Sequence, residues 1–196
     1  RNEANRLMQA ADNEPKAPYL ADFIRLALYT GCRRGELLGL EWSRVDLHRN
    51  VIRLQSVHTK SGAPRGVPLC NEARRALIGR QRFRASHCPD APFVFVNYEG
   101  RRIGSIKRSF STACRRAGIS DFRIHDLRHT FASWLVTEGV PLLEVSRLLG
   151  HSTVKMTERY AHLAPDNLES AVSLLDQRSQ SGHTDSPQKI RSVVSH

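Results

Sequence analysis

Residues 125–161 read HDLRHTFASWLVTEGVPLLEVSRLLGHSTVKMTERYA, and the spacing within them predicts three short helices joined by tight turns. On a wheel of 100° per residue, Leu127, Phe131, Trp134 and Leu135 share one sector, and His125, Arg128, His129 and Ala132 share the next. One stripe packs and its neighbour is polar. Gly139 ends this helix (125–139), Pro141 suits the first turn of the next (141–149), and Gly150-His151-Ser152 leads to a third at 153–161. His125 and Arg128 stand one turn apart at a helix start, where free N–H groups favour an anion, so they suit a phosphate. The plainer alternative is a capping histidine and a surface ion pair. Tyr160, taken alone, reads as a packing residue.

Outward from this stretch, YLADFIRLALYT (19–30) places Leu20, Phe23, Ile24, Ala27 and Leu28 on one helical stripe, with Gly31 as terminator. RRGELLGLEW begins a second helical stretch at Arg33. VIRLQSV (51–57) alternates as a strand does, HTKSGAPR supplies turn residues, and GVPL (66–69) returns, giving a hairpin with Lys60 beside its tip. Cationic helices follow at 71–85 and 103–118, separated by the extended PFVF and an Asn97–Gly100 turn. The expected fold is mainly α with a small antiparallel β-sheet. Residues 167–175 (NLESAVSLL) form an amphipathic segment whose apolar stripe needs a cover, either its own domain or a neighbouring protomer. The expected domain spans 1–176, and the Ser-rich, aperiodic 177–196 reads as a disordered tail.

At 196 residues, 40% hydrophobic and 25% charged, the chain suits one globular domain with a substantial core. Its longest aliphatic-aromatic run, Phe93 to Val96, is far too short for a bilayer, and no secretory signal pattern opens it. The net charge of +11 is concentrated: residues 71–116 carry 11 basic and 3 acidic side chains. Such an Arg-rich block attracts a polyanion, most plausibly nucleic acid, the alternative being a solvated face. The candidate DNA contacts are Arg74, Arg75, Arg101, Arg102, Lys107 and Arg108. Cys32, Cys70, Cys88 and Cys114 show no zinc-type pairing, and His87-Cys88 lacks a second pair, so no metal is expected and the reading is of a reduced, cytoplasmic protein.

TGCRRGELLGLEW, HTKSGAPRGVPL, HDLRHTFAS and LLGHSTVKMTERYAHL resemble, in wording and order, the catalytic-domain motifs of the tyrosine recombinase (phage integrase) family over residues 20–165. The resemblance implies that Arg33 and Arg128 are the two catalytic arginines, Lys60 the hairpin lysine, His125 the histidine of the HxxR motif, His151 the later histidine and Tyr160 the nucleophile. Cys32, where the family often has an aliphatic residue, is a departure that touches no catalytic role. The implied activity is site-specific recombination or integration of double-stranded DNA through a 3′-phosphotyrosyl link, without cofactor, metal or ATP, by protomers that self-associate as tetramers on DNA.

Each group then has a task. A phenol of pKa near 10 must lose or share its proton, for which His125 is a candidate partner. Arg33 and Arg128 meet the charge growing on the phosphoryl oxygens, Lys60 protonates the leaving 5′-oxygen, and His151 donates to the phosphate or orients Tyr160. Two other classes compete: a non-catalytic helix-turn-helix reader built on 141–161, and a metal-dependent nuclease. Family members usually carry an N-terminal DNA-clamping domain, expected here to be absent or cut away.

Overall fold

In the computed structural model, which describes residues 2–55, 64–166 and 172–173, residues to which the sequence reading assigned no element open the fold as helix α1 (Asn2–Asp12). The apolar stripe that follows is helix α2 (Leu20–Thr30). Its Ala21 and Leu26 are buried along with the five stripe positions, so other elements cover it almost all round. Gly31 ends it in the left-handed region at φ +63°. A Cβ there would lie 2.4 Å from a ring carbon of Phe131, so the position requires glycine both for its backbone and for its bareness.

The helix expected to start at Arg33 is a short one, α3 (Arg34–Leu38), stopped at Gly39 and followed by a 3₁₀ turn at Trp42–Arg44. Strands β1 (Val45–Asp46), β2 (Val51–Leu54) and β3 (Arg65–Pro68) form an antiparallel sheet in that order. Ile52 stands opposite both Val45 and Val67, and Leu54 opposite Arg65. Ile52, Leu54 and Val67 are buried while Arg53 is exposed, the alternation expected of a half-buried sheet. The hairpin tip, with Lys60, lies outside the described residues.

Helix α4 (Asn71–His87) packs on α2 through Ala73, Ala76 and Leu77. Arg80 of the same helix is also buried and donates to the carbonyls of Val94 (3.4 Å) and Val96 (3.3 Å). The basic block is therefore not wholly a polyanion-facing or solvated surface, because one of its arginines is tied to backbone inside the core. Helix α5 (Lys107–Arg116) is shorter than the 103–118 expected and turns its Phe110, Ala113 and Cys114 inward. Helices α6 (Asp126–Thr137) and α7 (Leu142–Leu149) follow close to the expected spans.

The third expected helix, 153–161, is instead two 3₁₀ turns, Val154–Met156 and Glu158–Leu163. Within 153–161 only Thr157 and Tyr160 are buried, and their three-residue spacing is the one a 3₁₀ turn places on one side. That overturns the helix-turn-helix alternative, which needs an α-helix here with an outward reading face. The hydrophobic interior has two parts, a large cluster around α2 and a smaller one of Phe131, Ala132, Val136, Val145, Leu149 and Tyr160. All these elements lie within residues 1–164, one compact unit. The expected segment at 167–175, apart from helical Val172 and Ser173, and the expected tail at 177–196 lie outside the described residues. No helix among the described residues is long and apolar enough to cross a membrane.

Candidate active site

Helix ends leave backbone carbonyls without partners, and the end of α7 offers its own to arginines. Arg128, in the first turn of α6 and 4% exposed, donates from Nη2 to the Leu149 carbonyl and from Nη1 to the Gly31 carbonyl, both at 2.6 Å. Arg33 donates from Nη2 to the Gly150 carbonyl at 3.2 Å. Gly150, at φ +64°, turns the chain so that His151 follows directly. The ends of α2 and α7 thus fix both arginines and one histidine. Burial, and then the neighbouring Arg33, pull the Arg128 pKa down to about 10, against an opposing pull from Glu36.

Glu36, buried on α3, supplies one carboxylate to this cluster. It accepts from the Arg33 backbone N–H (2.8 Å) and Nη1 (2.9 Å), and from Nη1 (3.0 Å) and Nη2 (2.7 Å) of Arg65 on β3. Burial alone would raise the Glu36 pKa, but these hydrogen bonds outweigh it and hold the carboxyl below its ordinary range. Arg65 also lies against Gly150, where a Cβ would sit 2.8 Å from Nη1.

The histidines are kept neutral. His151 pairs through Nδ1 with the hydroxyl of fully buried Thr157 at 2.9 Å, and burial together with Arg128 and Arg33 drops its pKa to about 4. Burial, then neighbouring cations, also lower His125 and His129. Tyr160, 7% exposed, packs in the smaller core cluster with its hydroxyl hydrogen-bonded to Nδ1 of His129. The hydroxyl partner in the structure is therefore His129, where the sequence reading named His125. The His125 ring stands edge-on to His129, 4.7 Å between centroids. Burial raises the Tyr160 pKa, which makes proton removal harder than for free phenol.

Arg33, His125, Arg128, His151 and Tyr160 line one cavity of about 680 Å³. Five of the six predicted positions are thus gathered from four separate parts of the chain, and Lys60 lies outside the described residues. Sequence reasoning gave no task to His129, Thr157, Glu36 or Arg65. The available signals were spacing: His129 is four residues after His125 on the same helix face, and Glu36 is three after Arg33.

The six candidate DNA contacts are all exposed but scattered in role. Arg75 pairs with Glu72 at 2.6 Å, Arg101 pairs with Glu99, and Arg102 lies over the Phe93 ring at 5.2 Å. Lys107 lines a groove with Arg34, Arg115 and Arg123, and Arg34 and His125 border both this groove and the Tyr160 cavity. Arg74 and Arg108 stand on the outer faces of α4 and α5. Cys32, Cys70, Cys88 and Cys114 are free thiols.

A buried tyrosine aimed into a cavity of fixed guanidiniums and neutral imidazoles is equipped for phosphoryl transfer. The sequence model of the phage integrase family matches residues 1–167, and the chain belongs to that family. It is 35% identical over 188 residues to the integrase of Salmonella phage P22, covering 89% of this chain and 46% of that protein. It is 34% identical to tyrosine recombinase XerC of Azotobacter vinelandii, covering 82% of this chain and 55% of that protein. It thus spans about half the length of these relatives. Among solved structures, the catalytic domain of bacteriophage HP1 integrase matches with TM-score 0.68 at 31% identity, covering 94% of this chain and 96% of that one. The XerA recombinase matches with TM-score 0.71 at 29% identity, covering 94% and 63%.

Proposed function

We propose that this chain is the catalytic part of a site-specific DNA recombinase, cutting and rejoining one strand at a time through Tyr160. The observation that carries the reading is the placement of the Tyr160 hydroxyl and the Arg33, Arg128 and His151 side chains around one cavity. In the forward step the Tyr160 oxygen bonds to phosphorus while the bond to the 5′-oxygen breaks, leaving a 3′-phosphotyrosyl link. The tyrosine proton passes to a neighbouring base, and the leaving oxygen takes a proton from Lys60. Reversal by another strand's 5′-hydroxyl rejoins the backbone, and the covalent link conserves the bond energy, so no ATP is consumed.

Arg33 and Arg128, pinned by carbonyls and Glu36, face the non-bridging oxygens as fixed donors where negative charge grows. His151, neutral and held through Nδ1 by Thr157, points its other ring nitrogen to the same oxygens as a hydrogen-bond donor. His125, bordering both cavity and groove, contacts the phosphate on the DNA side. Double-stranded DNA follows the groove of Arg34, Lys107, Arg115 and Arg123 into the cavity, and protomers associate on it. The working domain spans residues 1–176, with 177–196 a tail. With two guanidiniums supplying the positive charge, cleavage proceeds in EDTA.

The test is a pool of nicked duplexes carrying a randomised segment, incubated with the protein and denatured in detergent. Covalently attached DNA is recovered and sequenced. Adducts from the wild type and none from Tyr160→Phe are expected; adducts that persist in the variant overturn the reading.

A further inference from the structure

The bond between the Tyr160 hydroxyl and Nδ1 of His129 leaves open where the nucleophile's proton goes, and the surroundings of His129 answer it. We propose that His129 is the general base that takes the Tyr160 proton, an inference that rests on the recombinase reading and assigns a catalytic role to a side chain in direct contact with the reacting oxygen. His125, by contrast, is exposed and borders both the cavity and the groove, and its ring is in contact with that of the half-buried His129.

The fold makes His129 a suitable acceptor. Its backbone N–H donates to the His125 carbonyl, which fixes the ring's origin at the first turn of α6, on the polar stripe facing the 3₁₀ turn that carries Tyr160. The charged and titratable groups around it are His125, Asp126 and Arg128 from the start of α6, His151 after α7, and Arg159 and Tyr160 from the facing turn. Burial, with Arg159 and Arg128 against the opposing Asp126, holds the ring's pKa below its ordinary value, and on this proposal the neutral ring accepts from the Tyr160 hydroxyl at Nδ1. A neutral ring that accepts at Nδ1 carries its hydrogen on Nε2. As the tyrosine oxygen bonds to phosphorus, its proton moves to Nδ1, His129 becomes imidazolium, and Asp126 in the first turn of the same helix faces the new charge. On rejoining, the same proton returns to the tyrosine oxygen as that oxygen leaves phosphorus.

Two measurements test this. In the full chain labelled with ¹⁵N-histidine and without DNA, His129 is expected as the Nε2–H tautomer, with a titration midpoint that Tyr160→Phe shifts. Nδ1 protonated in the neutral ring, or a midpoint indifferent to Tyr160→Phe, overturns the proposal. Secondly, adduct formation is timed in single turnover on the duplex most enriched from the randomised pool. His129→Gln, which still accepts a hydrogen bond but holds no proton, is expected to slow the reaction by about 100-fold or more. It should also abolish the wild-type acidic limb below neutral pH. A His129→Gln rate within about threefold of wild type, with an unchanged pH profile, also overturns it. Should the wild type trap no duplex at all, the recombinase reading fails, and the spectrum still decides whether His129 holds the tyrosine proton.

Discussion

Glu36→Gln removes the charge of a carboxylate that is hydrogen-bonded to two members of the arginine cluster. The native side chain accepts four hydrogen bonds from Arg33 and Arg65, at 2.7–3.0 Å. An amide replaces one accepting oxygen with a donor that meets donors. It also leaves the guanidiniums of Arg33, Arg65 and Arg128 facing one another without Glu36's charge. Breaking a buried ion pair by removing one partner costs about 3–5 kcal/mol. For a domain of this size that is a fall in Tm of roughly 6–20 °C. Urea unfolding of the two proteins, with the slope m unchanged, measures it directly.

The charge of the cluster also sets its response to anions. Inorganic phosphate is expected to bind the folded cluster more tightly than the unfolded chain and so to raise stability with concentration. The variant, more positive by one charge, gains more from a given phosphate concentration than the wild type does. A loss below about 1 kcal/mol, the worth of an exposed ion pair, would refute the reasoning. So would equal protection of both proteins by phosphate.

Gly31→Ala is expected to lower stability by about 2–4 kcal/mol in urea, from a left-handed backbone plus overlap with the Phe131 ring; a neutral effect would show that the end of α2 is not fixed as described. Histidines held below their ordinary pKa of 6.5, His151 at about 4, bind protons more readily once unfolded. Their contribution to stability is whole above about pH 6.5 and is lost as pH falls toward 4, with no further loss below the folded pKa values. His151→Gln therefore loses less stability than the wild type between pH 7.5 and pH 5.5; parallel losses in urea melts contradict the assignment. Thr157→Val keeps the side chain's shape and removes the His151 partner, at a cost of about 1–3 kcal/mol. The His151 ring should then change its tautomer balance in ¹⁵N spectra, and an unaltered spectrum counts against a positioning role for Thr157.

The chain's periodicity and its turn glycines determined α2, α6 and α7 without any structure, because an apolar stripe and a left-handed terminator are properties of neighbours in sequence. The motif wording marked Arg33, His125, Arg128, His151 and Tyr160. What the linear order left open was every contact made across the chain. Whether 153–161 became an α-helix or 3₁₀ turns depended on the inward anchoring of Thr157 and Tyr160, and the mate of the tyrosine hydroxyl depended on which face of α6 that turn met. Arg80 looked like its basic neighbours until α2 and the Val94–Val96 segment closed over it. Likewise Arg65 and Glu36, 29 residues apart, became partners only when β3 folded back beside α3. Local pattern specifies which face of an element is apolar, whereas the partner of a buried polar group is chosen by packing, since burial makes an unmatched donor or acceptor costly and leaves few ways to pair it.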